Sequence, residues 1–267
     1  MNATNSLTNK INICVAEKID IRIIGSLEVR RADGTDVDSR EWRTGKTSDL
    51  LRLLALRVDH SVSTDTLVST LWPSVERARA LASLRTAASQ IRHVLSPGCI
   101  DRSPAGLQLR GARVDVQEFR TLTATVRQLL CRRDHRSALS TAMEADGLYR
   151  GDFTAHNHFA EWAVAERGAL ADDRLVLLGD AAQAAIGCQE FRLAQDYARR
   201  IVDTDPFSEL GCRLLMLARA GLGETSYAIR EYQRCRELLA DEFGVDPSPQ
   251  TSDLYLRLLR GEESISA

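Results

Sequence analysis

The apolar positions of this chain change their period several times, and each change predicts an element. Between residues 19 and 38, "IDIRIIGSLEVRRADGTDVD", apolar and polar residues alternate on either side of Asp33-Gly34, which predicts a short antiparallel pair of strands. Over 45–59 the spacing becomes three and four through Leu50, Leu51, Leu54 and Val58, the mark of an amphipathic helix. A second helix is expected over 61–73, where Ser63 suits the N-cap, Asp65 puts a carboxylate at the positive end of the helix dipole, and Pro73 stops the helix. A third follows over 78–95, "ARALASLRTAASQIRHVL", with Leu81, Leu84, Ala88, Ile91 and Leu95 as its apolar stripe. Residues 99–116 return to two short alternating runs around Pro104-Ala105-Gly106, which predicts a β-hairpin.

Small sheet, three helices and hairpin, in that order, is the layout of a winged helix-turn-helix: the second helix braces, the third enters a major groove, and the hairpin reaches the backbone or minor groove. From Val116 onward strand signals nearly vanish and alanine-rich helical patterns take over. Gly187, Glu190 and Ala194 recur as Gly221, Glu224 and Ala228, 34 residues later, and Ala198 and Ile201 fall against Tyr232 and Cys235. That period matches tetratricopeptide units, in which a small residue lets paired helices approach closely. Asp205-Pro206 and Asp246-Pro247 close the two repeats, and Ala138, Ala142 and Ala145 place an earlier helix pair in the same stack. The expected fold is therefore mainly α: an α+β winged-helix domain over 19–115, then an all-α tetratricopeptide-like domain over 116–260. Polar tails are expected over 1–18 and 261–267.

The outer face of the third helix narrows the chemistry. It carries Arg79, Ala82, Ser83, Thr86, Ser89, Gln90 and His93, with Arg85 and Arg92 at its margins, and no carboxylate. Solvated helix faces normally mix acids with bases. A face without acid suits phosphate oxygens and base edges, where a carboxylate would repel the polyanion. Ser83, Thr86 and Gln90 are expected to face bases, since Gln can pair with adenine; Arg79 and Arg85 can reach base or phosphate, Arg pairing with guanine in bidentate fashion. Arg92 and His93 lie nearer the C-terminus and fit phosphate. Arg102 is the candidate in the hairpin, and Arg43, Thr44 and Lys46 in "WRTGK" are placed to hold a phosphate near the N-terminus of the first helix.

Charge agrees with this division. The chain's formal charge of −2 conceals 17 Lys+Arg against 13 Asp+Glu in residues 1–115, and 18 against 24 in the remainder. The basic half is the better match for a polyanion. The six cysteines form no CxxC or Cys/His ligand spacing, and free thiols in a cytoplasmic protein are expected. No apolar run approaches the ~18 residues of a membrane helix, and the start lacks the order of a signal peptide. His156 and His158 have no nearby cysteine or carboxylate to complete a metal set, "RTGKTSD" lacks the upstream glycine of a phosphate loop, and no serine sits in a nucleophile elbow. No enzyme, cofactor or metal is expected. Trp72 and Trp162 are assigned to the core, and Trp42 to the junction between sheet and first helix.

The chain resembles the SARP family of bacterial transcription activators, which join an OmpR-type winged helix to a bacterial transcriptional activation domain. The resemblance covers roughly residues 19–260. It is carried by "GSLEVR" (25–30), "VSTDTLVSTLWP" (62–73), "ASLRTAASQIRHVL" (82–95), "LYRGDF" (148–153), "EWAVAERGAL" (161–170) and "AIREYQRCRELLADEFGVDPSPQTSDLYLRLL" (228–259). It implies binding to direct repeats in promoter DNA, two copies side by side on repeated half-sites, and contact with RNA polymerase through its σ factor. No dimerisation heptad is visible. The third helix here ends "SQIRHVL" rather than in consecutive basic residues, which implies fewer phosphate contacts. Regulation by an appended ATPase, phosphopeptide-binding or receiver module is not expected. A second reading, from the residues alone, is an interaction scaffold or ligand sensor whose helical stack binds a partner without DNA; the acid-free face of 78–95 separates the two.

Overall fold

The computed structural model describes residues 18–153 and 161–261. Residues 1–17 of the expected N-terminal tail, Cys14 among them, and His156, His158 and residues 262–267 lie outside them. The chain divides into two compact units, one ending at Asp115 and the other starting at Val116.

In the first unit, β1 (Ile19–Arg22) pairs antiparallel with β2 (Glu28–Arg30), Ile21 opposite Val29. The connecting turn lies before Asp33-Gly34, at residues 23–27, and this corrects the expected hairpin. The reason is local. Ile23 and Ile24 are both fully buried, so alternation fails there. Their N–H groups find no strand partner and donate instead to the buried Asp115 carboxylate, each bond at 2.9 Å. The Asp33-Gly34 turn does fold the chain back, but only over a few residues: Arg31 N–H donates to the Thr35 carbonyl and Val37 N–H to the Val29 carbonyl, both at 2.8 Å, around an antiparallel bridge between Arg30 and Asp36.

Three helices follow: α1 (Gly45–Ala55), α2 (Thr64–Leu71) and α3 (Arg77–Val94). Ser63 Oγ accepts from Thr66 N–H at 3.0 Å and caps α2 as expected. Leu50, Leu51 and Leu54 of α1 and Leu67 and Leu71 of α2 are fully buried and form the floor on which α3 rests through the equally buried Ile91. The expected hairpin forms from β3 (Ile100–Ser103) and β4 (Gly106–Leu109). Gly106 is required there: its φ is +132°, and a Cβ would overlap the carbonyl of Val62, a residue that bridges to Leu107. The sequence pattern missed β5 (Ala112–Val114), which runs parallel to β1 and gives the sheet order β2-β1-β5. Three residues are too few for a period to show.

The second unit contains α4 (Asp115–Cys131), α5 (His135–Leu148), α6 (Glu161–Gly187), α7 (Phe191–Thr204), α8 (Glu209–Gly221), α9 (Thr225–Phe243) and α10 (Pro249–Leu259). It is tetratricopeptide-like, as the repeat predicts. The repeated glycines both make room for a ring, since a Cβ on Gly187 would enter that of His135 and one on Gly221 that of Phe191. Each glycine thus lets the end of one helix meet the first residue of a neighbouring helix. Ala138, Ala142, Ala145, Ala194, Ala198 and Ala228 are fully buried along the same seams. Arg200 grips Asp146 with two bonds of 2.7 and 2.6 Å, tying α7 to α5. Glu231 receives Arg199 and Arg219, both at 3.1 Å, and joins α7 and α8 to α9. Trp72 and Trp162 are only half-buried, a departure from the expected core positions; Trp162 lies edge-on to the fully buried Phe153, centroids 5.8 Å apart.

Candidate nucleic-acid interface

The start of α3 explains how it remains acid-free. Glu76, just before the helix, turns its carboxylate to the N–H groups of Ala78 (3.0 Å) and Arg79 (3.4 Å). The cap is supplied from outside the helix, and no acidic side chain enters its first turn. Arg77 pairs with Asp65 at 2.7 Å and fixes α3 to α2.

The buried stripe is Ala80, Leu84, Ala87, Ala88, Ile91 and Val94. It is rotated from the expected one, which used Leu81 and missed Ala80 and Ala87. Ala80 and Ala87 are buried where α3 packs against its neighbours, and Leu81 is left half-exposed on the other edge. The exposed ridge then comprises Arg79, Ala82, Arg85, Thr86, Ser89 and His93. Thr86 donates its hydroxyl proton to the Ala82 carbonyl at 3.1 Å, so its oxygen is presented outward as an acceptor. Ser83, Gln90 and Arg92 are half-buried rather than fully outward.

Gln90 departs furthest from expectation. Its side-chain oxygen accepts from Thr47 Oγ1 at 3.0 Å, and its amide donates to the Glu41 carbonyl at 2.9 Å. Both ends of the amide are engaged inside the unit. Glu41 in turn pairs with Arg31, whose Nε donates to the Val94 carbonyl at the end of α3 at 2.7 Å. Arg31, Glu41 and Thr47 therefore hold the helix, and sequence reasoning passed over all three. One signal was readable: Asp38 and Glu41 in "DSRE" form a capping box on a short 3-10 turn, Ser39–Glu41.

The clamp sets the N-terminus of α1 beside α3. There Thr44 Oγ1 caps the helix through Thr47 N–H at 3.3 Å, and Arg43 and Lys46 are exposed. No acid lies in the first turn of α1, so its free N–H groups and two cations face solvent together. On the opposite edge, Arg92 Nε donates to the Ile100 carbonyl at 3.0 Å and draws the hairpin against α3, while Arg102 stands exposed on β3 opposite Leu107.

Pairing separates these bases from several others in the unit. Arg22, Arg30, Arg31, Arg77 and Arg110 each have a carboxylate partner. Among the described residues, Arg43, Lys46, Arg79, Arg85 and Arg102 have none within ion-pair distance. These five guanidinium and ammonium groups are exposed, and none has to break an internal ion pair before meeting an anion. Cys99 lies behind it, its thiol pushed up by burial; Cys99, Cys131, Cys188, Cys212 and Cys235 are all free thiols.

Residues 114–259 match the family described as the bacterial transcriptional activator domain. The chain belongs to that family. The resemblance to the SARP regulators holds as well, and relatives bear regulator names. The activator-domain chain is 29% identical over 240 residues to the regulatory protein AfsR of Streptomyces coelicolor, an alignment covering 85% of this chain and 24% of AfsR. It is 26% identical over 265 residues to the transcriptional regulatory protein MoaR1 of Mycobacterium tuberculosis, covering 96% of this chain and 84% of MoaR1. The chain thus spans about a quarter of the length of AfsR. Its fold is that of Mycobacterium tuberculosis EmbR, solved in complex with a low affinity phosphopeptide: the TM-score is 0.82 at 23% identity, over 91% of this chain and 65% of that one. Among the described residues of the activator-domain chain, no helix is long and apolar enough to cross a membrane and no group of three or more His, Cys, Asp or Glu is placed to hold a metal.

Proposed function

We propose that this chain is a sequence-specific DNA-binding transcription regulator, an activator that acts in the cytoplasm on promoter direct repeats. The observation that carries the reading is the acid-free ridge of α3, which bears Arg79 and Arg85 and is accompanied by Arg43, Lys46 and Arg102, all five without a carboxylate partner among the described residues. In this reading α3 lies in the major groove, with Arg79, Arg85, Thr86 and Ser89 toward base edges. The small Ala82 lets the helix approach closely. Arg43, Thr44 and Lys46 hold phosphate on one side, Arg92, His93 and Arg102 on the other. Ser83 contributes from the α1 edge. Gln90 acts as a positioning residue, because its amide is already used to set α1 against α3. The acidic second unit supplies the surface for RNA polymerase and its σ factor, and two copies occupy adjacent half-sites. The regulator names of its relatives support the same reading.

Chromatin immunoprecipitation of the full chain in its host, read genome-wide, tests the proposal. Enrichment at a few promoters sharing a directly repeated half-site is expected. No enrichment, or uniform enrichment without a shared motif, contradicts it. A scaffold without DNA binding finds no support in the ridge, since a docking helix gains nothing from excluding acids.

A further inference from the structure

Leu81 is an apolar side chain left half-exposed on a helix whose other outward residues are small, polar or basic. It lines a groove of about 220 Å³ between α3 and the hairpin, with the buried Leu84 and Leu107 as floor and Arg85, Arg92 and Arg102 around it. A phosphodiester has no use for three leucines. A neutral apolar guest, in turn, leaves three neighbouring guanidiniums without a counter-charge. The combination fits a ligand with a flat apolar body and one anionic head. We infer that this groove is a binding site for a small aromatic carboxylate, held by guanidinium–carboxylate bonds with its ring against Leu81, Leu84 and Leu107.

Size limits the guest. A cavity of roughly 150 Å³ accepts a benzene ring, and drug-sized ligands take about 300 Å³ or more. The groove fits a single-ring acid. Arg92 is held at the wall of the groove, because its Nε donates to the Ile100 carbonyl while the side chain lines the groove. Occupation engages Arg85, Arg92 and Arg102, three of the side chains assigned to DNA. A bound acid therefore lowers DNA affinity, and that consequence alone rests on the proposed function.

Isothermal titration of the full chain without DNA tests the site, with benzoate as probe, benzyl alcohol as the ring without charge and inorganic phosphate as the charge without ring. Benzoate is expected to bind saturably with a Kd on the order of 1 mM, as suits so small a ligand, and more tightly than either control. Arg102→Gln is expected to weaken benzoate by about tenfold, the loss of one charge-assisted bond. Leu81→Ser is expected to weaken benzoate while leaving phosphate unchanged. Both residues are outside the core, so both variants fold. Benzoate binding no tighter than phosphate or benzyl alcohol, or undiminished in Arg102→Gln, overturns the inference. Because the titration contains no DNA, its failure and a failure of duplex binding are read separately.

Discussion

Gln90 sits with its amide between Thr47 and the Glu41 carbonyl, so replacing it takes this partner from the buried Thr47 hydroxyl and the half-buried Glu41 carbonyl. Gln90→Ala is expected to lower stability by about 1–3 kcal/mol in a thermal or urea melt. It is also expected to weaken all duplexes alike, because α3 shifts as a whole. A side chain that reads bases would instead relax preference at one position with stability unchanged, and competition among singly substituted duplexes distinguishes the two. Gly106 makes a sharper case. With φ at +132° and the Val62 carbonyl where a Cβ would go, Gly106→Ala is expected to cost at least ~2 kcal/mol. The hairpin would detach from the segment before α2, and hydrogen exchange at Val62 and Leu107 checks this directly.

At the level of elements, the seams between helices are set by glycine against a large ring. Gly221→Ala forces the Phe191 ring out of place and is expected to destabilise by about 1–3 kcal/mol, the range for overpacking. Gly221→Ala combined with Phe191→Leu should recover part of that loss, which melts of both variants would show. Helix α10 depends on Glu209, whose carboxylate accepts from Ser248 N–H at 2.8 Å and from the Ser248 and Thr251 hydroxyls at 2.6 Å each. Burial raises its pKa, but these bonds outweigh burial and hold it below the ordinary value. A depressed folded pKa stabilises above the unfolded value, about 4.3 for a glutamate, and that contribution is lost as the pH falls through the folded value. Melting temperatures recorded from neutral pH downward should therefore fall less steeply in acid for Glu209→Gln than for the parent. The helices themselves were legible because their apolar spacing is long and regular, as in Leu50, Leu51 and Leu54. The short strand Ala112–Val114 and the true turn at residues 23–27 were not, since each depends on partners distant in sequence: β1 for the strand, Asp115 for the turn. The same limit rotated the buried stripe of α3, where two alanines are buried by neighbours the pattern cannot see.

Across the whole chain, bases dominate before Asp115 and acids after it. The sequence alone showed which helix face lacks acid; it did not show which bases are already paired, because ion pairs such as Arg31 with Glu41 and Arg77 with Asp65 form only in the fold. That division yields the most direct test of the central claim. Fluorescence anisotropy of the full chain on a mapped promoter duplex should give a log Kd that rises linearly with log salt. The expected slope is about 5, from roughly 0.9 for each phosphate reached by a basic side chain. Arg43→Gln and Arg102→Gln should each flatten it by up to about 0.9, while Arg30→Gln, which removes only the partner of Asp36, should leave it unchanged. An affinity indifferent to salt, or a slope equally altered by all three variants, contradicts the account.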